Sequence, residues 1–406
     1  MAHANGTSVA AFTYTGGPVA ASPRTLAGLG QPISFEYELA YLERFKRVER
    51  QVAEVYETKQ DIVLMQGEAV LGLEAAARGL CRPGMTALNL VSGIFGKWFG
   101  DWLRALGAEV IEIEVEWNDA IDPADVERAL AEHPEIELVA VVHSETPSGT
   151  LNPLAEIGPL AQAAGALVIV DAVSAFGGTP VRTAAWGLDI TVAGPQKCIG
   201  GPPGISLVSV SDRAWEAMEA NPSAPRSSYL SLLDWRERWI GGGREKFPYT
   251  TSVADINGVA AALDELLDEG LEASYARHHR AGRACRAGVE AMGLELWAAR
   301  EEIASHGVTA VTVPDGISNQ DVISHIRSAY DVMLSDGEHA EMTDRVFRLG
   351  HMGPASRSLH PVVALSALGQ GLSDFGVAVD IGAAVEAALG VLEHPVGANV
   401  GAAGVQ

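Results

Sequence analysis

Between residues 62 and 210 the chain alternates short apolar, β-branched runs with alanine- and leucine-rich stretches of helical length. The runs are IVLM (62–65), EVIEIEV (109–115), ELVAVVHS (137–144), ALVIVDAV (166–173), DITVAG (189–194) and ISLVSVS (205–211). Between them lie GKWFGDWLRALG, PADVERALAEHP and PLAEIGPLAQAAG, whose apolar residues recur at i, i+3 and i+4, the period of a helix with one buried face. Uninterrupted apolar strands must be covered on both faces, so the order predicts an α/β fold, a mostly parallel sheet flanked by helices. One helix start is legible in AIDPADVERAL, with Asp122 as N-cap and Pro123 at the first helical position.

Residues 212–255 change character. ANPSAPRSSYLSLLDWRERWIGGGREKFPYTTS is rich in Pro, Gly and Ser and shows no clean period, which predicts a long surface excursion. Strong helical stretches follow, then short strands around HGVTAVTVP and FRLGHMG and a last helix near 378–393. These shifts divide the chain into a flexible N-terminus (1–14), a large domain (15–265), a smaller α+β C-terminal domain (266–395) and a flexible tail (396–406). The balance of 28 Lys and Arg against 52 Asp and Glu, a formal charge of −24, argues against a nucleic-acid partner. No stretch reaches the roughly 20 apolar residues of a membrane-spanning helix, and MAHANGTSVAAF has no basic segment leading into an apolar one. Three widely spaced cysteines form neither a disulfide framework nor a metal cluster, and the histidines lack paired ligand spacing. A cytoplasmic protein without a metal is expected.

The chemistry concentrates in VIVDAVSAFGG and DITVAGPQKCIGGPPG. Asp171 ends one apolar run, and Lys197 follows another inside a Gly/Pro loop. Ligands of open parallel sheets gather at the carboxyl ends of the strands, where these two residues would meet. A lysine there can form a Schiff base with an aldehyde, and an aspartate can keep a pyridine nitrogen protonated. Together with TGGPVAASP, GEAVLGLEAA, SGIFGKWFGDW, HSETPSGTLNP and FRLGHMGP, these stretches resemble the class V aminotransferases of fold-type I, over residues 15–355. That resemblance implies Lys197 as the Schiff-base lysine, with Asp171 on the pyridine nitrogen and Phe95 stacked on the ring. It further implies Thr146 near the ring's phenolic oxygen and Arg348 on the substrate carboxylate. It also implies a homodimer or homotetramer whose partners are small molecules.

Three positions depart from the family. The loop that usually offers glycine and hydroxyls to a cofactor phosphate carries Glu68, Pro195 stands where a serine is frequent, and Phe247 falls where a phosphate-binding tyrosine is common. Glu68 also has a simpler reading, pairing with a helix N-terminus, worth about 0.3–1 kcal/mol. Facing a phosphate it would be repulsive, so the combination resembles family members that take unphosphorylated pyridoxamine and pyridoxal as substrates, with no tightly bound cofactor. The alternative is an alanine– or serine–glyoxylate type enzyme that uses pyridoxal phosphate. The loop SDGEHAEMTDR, where those members carry a second arginine, offers Glu338, His339 and Arg345, which leaves pyruvate, glyoxylate or another small 2-oxo acid open as amino acceptor. The intact Lys197, Asp171 and Arg348 set argues against a pyridoxal-binding scaffold without turnover.

Overall fold

In a computed structural model of the protein, which describes residues 9–393, the chain divides into two compact units. One comprises 21–145 and 150–271, the other, among the described residues, 9–20, 146–149 and 272–393. The division after Leu271 differs from the expected one at 265/266, which falls inside the helix Val253–Glu269, where unbroken backbone hydrogen bonding leaves no joint. Among the described residues no helix is long and apolar enough to cross a membrane.

The larger unit is built on seven strands: β1 (Asp61–Gln66), β2 (Thr86–Val91), β3 (Glu109–Glu114), β4 (Ile136–Val142), β5 (Leu167–Asp171), β6 (Ile190–Ala193) and β7 (Ile205–Val210). Their order across the sheet is β1-β7-β6-β5-β4-β2-β3, and only β7 runs against its neighbours. Six carboxyl ends therefore share one edge. β2 is absent from the runs read above because Asn89 interrupts TALNLV; buried, that side chain donates to the Gly96 carbonyl at 3.0 Å and to Glu112 at 3.1 Å. Helices α1 (Ala69–Leu80) and α2 (Ile94–Ala105) follow β1 and β2 directly. Asp122 caps Pro123–Glu132 as expected, accepting from Ala124 N–H at 2.9 Å.

The segment 212–255 is no surface excursion. Trp215, Trp235, Trp239 and Phe247 are all buried, and a short helix (Leu232–Trp235) runs into a π-helical turn (Arg236–Ile240). Phe247 stacks on Trp239 at 4.3 Å and meets Phe45 edge-on at 4.8 Å. Phe45 belongs to the helix Leu39–Val55, whose Tyr41, Phe45, Val48, Val52 and Val55 form its buried stripe. Aromatic packing of this kind has no fixed period, so the pattern was invisible along the chain.

In the smaller unit Val308–Thr312 pairs antiparallel with Val346–Gly350, bringing Ala310 opposite Arg348. Its core joins Phe347 and Leu349 to Val322, Ile326, Leu365 and Leu368. Residues 12–13, expected to be flexible, form a strand parallel to Val332–Met333. Tyr14 is buried there, because its backbone bridges the Met333 carbonyl and the Gly350 N–H, each at 2.8 Å. The expectations for 1–8 and 396–406 lie outside the described residues.

Candidate active site

Strand ends and the loops after them supply every candidate residue of the larger unit. β1 leads to Glu68, β2 to Phe95, β4 to Glu145, β5 ends on Asp171 and β6 leads to Lys197. Gly67 makes the turn after β1 at φ 149, a conformation that L side chains rarely adopt, and its N–H bonds the Gly204 carbonyl at 2.8 Å. Gly200, at φ 64, closes the turn after Lys197 through its N–H to the Lys197 carbonyl at 2.9 Å.

Glu68 is the N-cap of α1. Its Oε2 accepts the Val70 N–H at 3.0 Å, and its Oε1 accepts the side-chain amide of buried Gln196 at 2.9 Å. The helix terminus after β1, where an anionic ligand group would bind, therefore already holds a carboxylate of the chain itself. The geometry shows the capping role of Glu68. Pro195 contributes its carbonyl to the Gly201 N–H at 2.7 Å and no side-chain donor. Phe247 bears differently on the question. Its burial in the aromatic core accounts for its identity through packing.

Asp171 is buried, and its Oδ1 accepts the Val173 N–H at 2.9 Å. Burial pushes its carboxyl up to about 6; the Val173 bond and the Lys197 charge restrain the rise while Glu68 adds to it. Lys197 is half-buried. Phe95 stands in the first turn of α2, half-buried, its ring edge-on to Trp98 at 5.4 Å.

Two residues beyond those predicted belong to this group. Gln196 orients Glu68, and Glu145 accepts the N–H groups of Gly96 at 2.8 Å and Phe95 at 3.3 Å. Fully buried, Glu145 is pushed up to about 8 by desolvation and by Asp171, against those two N–H bonds. Its signal was a carboxylate placed directly after the buried run ELVAVVHS; Gln196 had only its place beside Lys197.

The structure brings Lys197, Asp171 and Glu68 into one electrostatic group and links Phe95 to it through Glu145. Thr146 and Arg348 belong to the other unit. Thr146 is buried, and its Oγ1 has no hydrogen-bond partner among the described residues. Arg348 is buried with its guanidinium against Glu338 at 3.1 Å, and burial pushes it below the usual arginine range. Arg345 instead lies over the Trp297 ring at 4.5 Å.

A lysine in the loop after one strand and a buried aspartate at the end of another suit pyridoxal chemistry, and the family model for aminotransferase class-V matches residues 31–356. The chain belongs to the class-V aminotransferase family. This class-V aminotransferase is 45% identical over 383 residues to the pyridoxamine–pyruvate transaminase of Mesorhizobium japonicum, covering 94% of this chain and 96% of that one. It is 33% identical to the serine–glyoxylate aminotransferase of Methylorubrum extorquens, over 79% of this chain and 81% of the other. The crystal structure of pyridoxamine–pyruvate aminotransferase from Mesorhizobium loti superposes with a TM-score of 0.92 at 44% identity, covering 95% of this chain and 98% of that one.

Proposed function

We propose that this enzyme moves an amino group from unphosphorylated pyridoxamine to a small 2-oxo acid, pyruvate giving L-alanine and pyridoxal. The observation that carries the reading is the Glu68 carboxylate seated at the α1 N-terminus. A phosphate there would lose the Val70 N–H and meet a like charge, which costs about 1 kcal/mol at 4 Å in water and about 4 at an effective dielectric of 20. Glu68 is exposed in the single chain, so the lower part of that range applies. A hydroxymethyl group would instead donate to the carboxylate.

The remaining residues suit the ring. The vitamin's pyridine ring supplies an electron sink next to the reacting carbon. Asp171 holds the proton on the ring nitrogen, Phe95 fixes the ring plane, and Thr146 offers its unpartnered hydroxyl to the phenolic oxygen. Lys197 Nζ accepts and returns the proton at the substrate's α-carbon. Arg348 takes the carboxylate of the 2-oxo acid. All three cysteines are buried and none is in a disulfide, which supports a reducing cytoplasm. Exposed Ile33, Phe35 and Leu39 support a homodimer or homotetramer.

The second reading, a pyridoxal-phosphate enzyme of the serine–glyoxylate type, is favoured by the relative so named. Borohydride reduction with pyridoxal or with pyridoxal phosphate, followed by peptide mapping, separates the two. Label on Lys197 from pyridoxal in excess over the phosphate supports the first reading; the reverse preference overturns it.

A further inference from the structure

The guanidinium of Arg348 is engaged before any substrate arrives. Its Nε donates to the Asp336 carbonyl, and its Nη1 donates to the Glu338 carboxylate at 3.1 Å. Gly16 lies against the same nitrogen: a Cβ built there would stand 2.3 Å from Nη1. The Gly16 N–H is itself fixed on Ser335 Oγ at 3.0 Å. A guanidinium offers a carboxylate two bidentate edges, Nε with one terminal nitrogen or the two terminal nitrogens together. The first edge is lost to Asp336. The second remains, and Glu338 holds half of it, while Nη2 has no protein acceptor among the described residues.

The two partners differ in how firmly they are held. Arg348 has 4% of its side chain exposed, Glu338 51%. Glu338 is presented by a tight turn, its N–H on Asp336 Oδ1 at 2.7 Å and its φ at 68°, so the loop and not burial keeps it in place. Its carboxylate can swing into solvent without opening the core.

We infer that Glu338 is a specificity-determining residue, an internal carboxylate on the terminal edge of Arg348 that a substrate carboxylate displaces to gain its two-pronged grip. This rests on the reading of Arg348 as the carboxylate site. It also narrows the substrate class to monocarboxylic 2-oxo acids. The loop that carries Glu338 also carries Asp336 and Glu341, so a second carboxylate would meet a net negative segment, and the loop's other guanidinium, Arg345, lies over the Trp297 ring. A dicarboxylic acid would therefore find repulsion where it needs a cation.

Steady-state kinetics of the full-length enzyme with pyridoxamine and pyruvate test this in E338Q and, should the amide keep the contact, in E338A. Removing an ion pair with one half-exposed member is expected to lower KM for pyruvate by about fivefold, with kcat and the KM for pyridoxamine within about twofold of the parent. Oxaloacetate is expected to be the poorer acceptor in the parent and to gain more than pyruvate in both variants. An unchanged KM for pyruvate in both variants, with pyridoxamine turnover intact, overturns the assignment, as does a parent that prefers oxaloacetate. Absence of pyridoxamine turnover in the parent overturns the functional reading instead. Calorimetric titration with acetate then decides on the contact alone: tighter binding by the variants supports the displacement, equal binding refutes it.

Discussion

Glu68 solves a local problem and, in the proposed function, sets a selectivity. A helix terminus leaves N–H groups without partners, and a side chain that satisfies one of them with a full negative charge removes the place where a ligand anion would bind. Glu68→Ser keeps a capping oxygen and removes the charge, so affinity for pyridoxal phosphate, followed by absorbance titration, is expected to rise about tenfold, the equivalent of about 1.4 kcal/mol. No gain would place the selectivity elsewhere. Asp171 predicts a pH dependence. Its carboxyl titrates at about 6 in the ligand-free chain, so pyridoxamine affinity should fall as the pH drops through that value, because a protonated carboxyl cannot pair with a charged ring nitrogen. Asp171→Asn should abolish that fall along with most of the affinity. Lys197→Ala removes the proposed proton carrier and is expected to lower the rate of a stopped-flow alanine half-reaction by about a hundred- to ten-thousandfold.

The first turn of α2 depends on Glu145, whose two carboxylate oxygens hold the Phe95 and Gly96 N–H groups. Its pKa is raised from 4.5 to about 8, so the folded chain holds a proton across that window that the unfolded chain has released. The stability contributed by this group is therefore present at low pH and declines as the pH rises from about 4.5 towards 8. Thermal unfolding of Glu145→Gln against pH should show that decline flattened; an identical slope in both proteins would contradict the assignment. The aromatic cluster allows a parallel test: Phe247→Ala should cost about 3–5 kcal/mol in denaturant unfolding, and Phe247→Tyr should gain no affinity for a phosphate. Periodicity made six of the seven sheet strands legible, along with the Val308–Thr312 and Val346–Gly350 strands and the last helix of the C-terminal unit, but not the Phe12–Thr13 and Val332–Met333 pair. It failed at β2, where one asparagine serves neighbouring groups, and over 212–255, where tryptophans pack without a repeat. At the site, residue type and position after a strand exposed Asp171 and Lys197. Gln196 depends on its contact with distant Glu68 and had no signature beyond its place beside Lys197, Glu145 showed only as a carboxylate after a buried run, and the Glu338–Arg348 pair depends on a tight turn without a repeat.

The charge of −24 belongs to the chain as a whole and acts on anything that approaches it. Anionic pyruvate is repelled and cationic pyridoxamine attracted, and salt screens both, the Debye length shrinking from about 30 Å at 0.01 M to about 8 Å at 0.15 M. Over that range kcat/KM for pyruvate should rise and that for pyridoxamine should fall; parallel changes would contradict this. The division into units has another consequence. Tyr14 and Gly16 belong to the unit whose main part begins at Glu272, so ribosomal synthesis delivers that first piece more than 250 residues before the main part. Gly16 lies against Arg348, and the Tyr14 carbonyl accepts the Gly350 N–H at 2.8 Å. A protease that clips the chain after Pro18 would thus loosen the packing around Arg348, some 330 positions downstream, an effect no inspection of the C-terminal half alone would foresee.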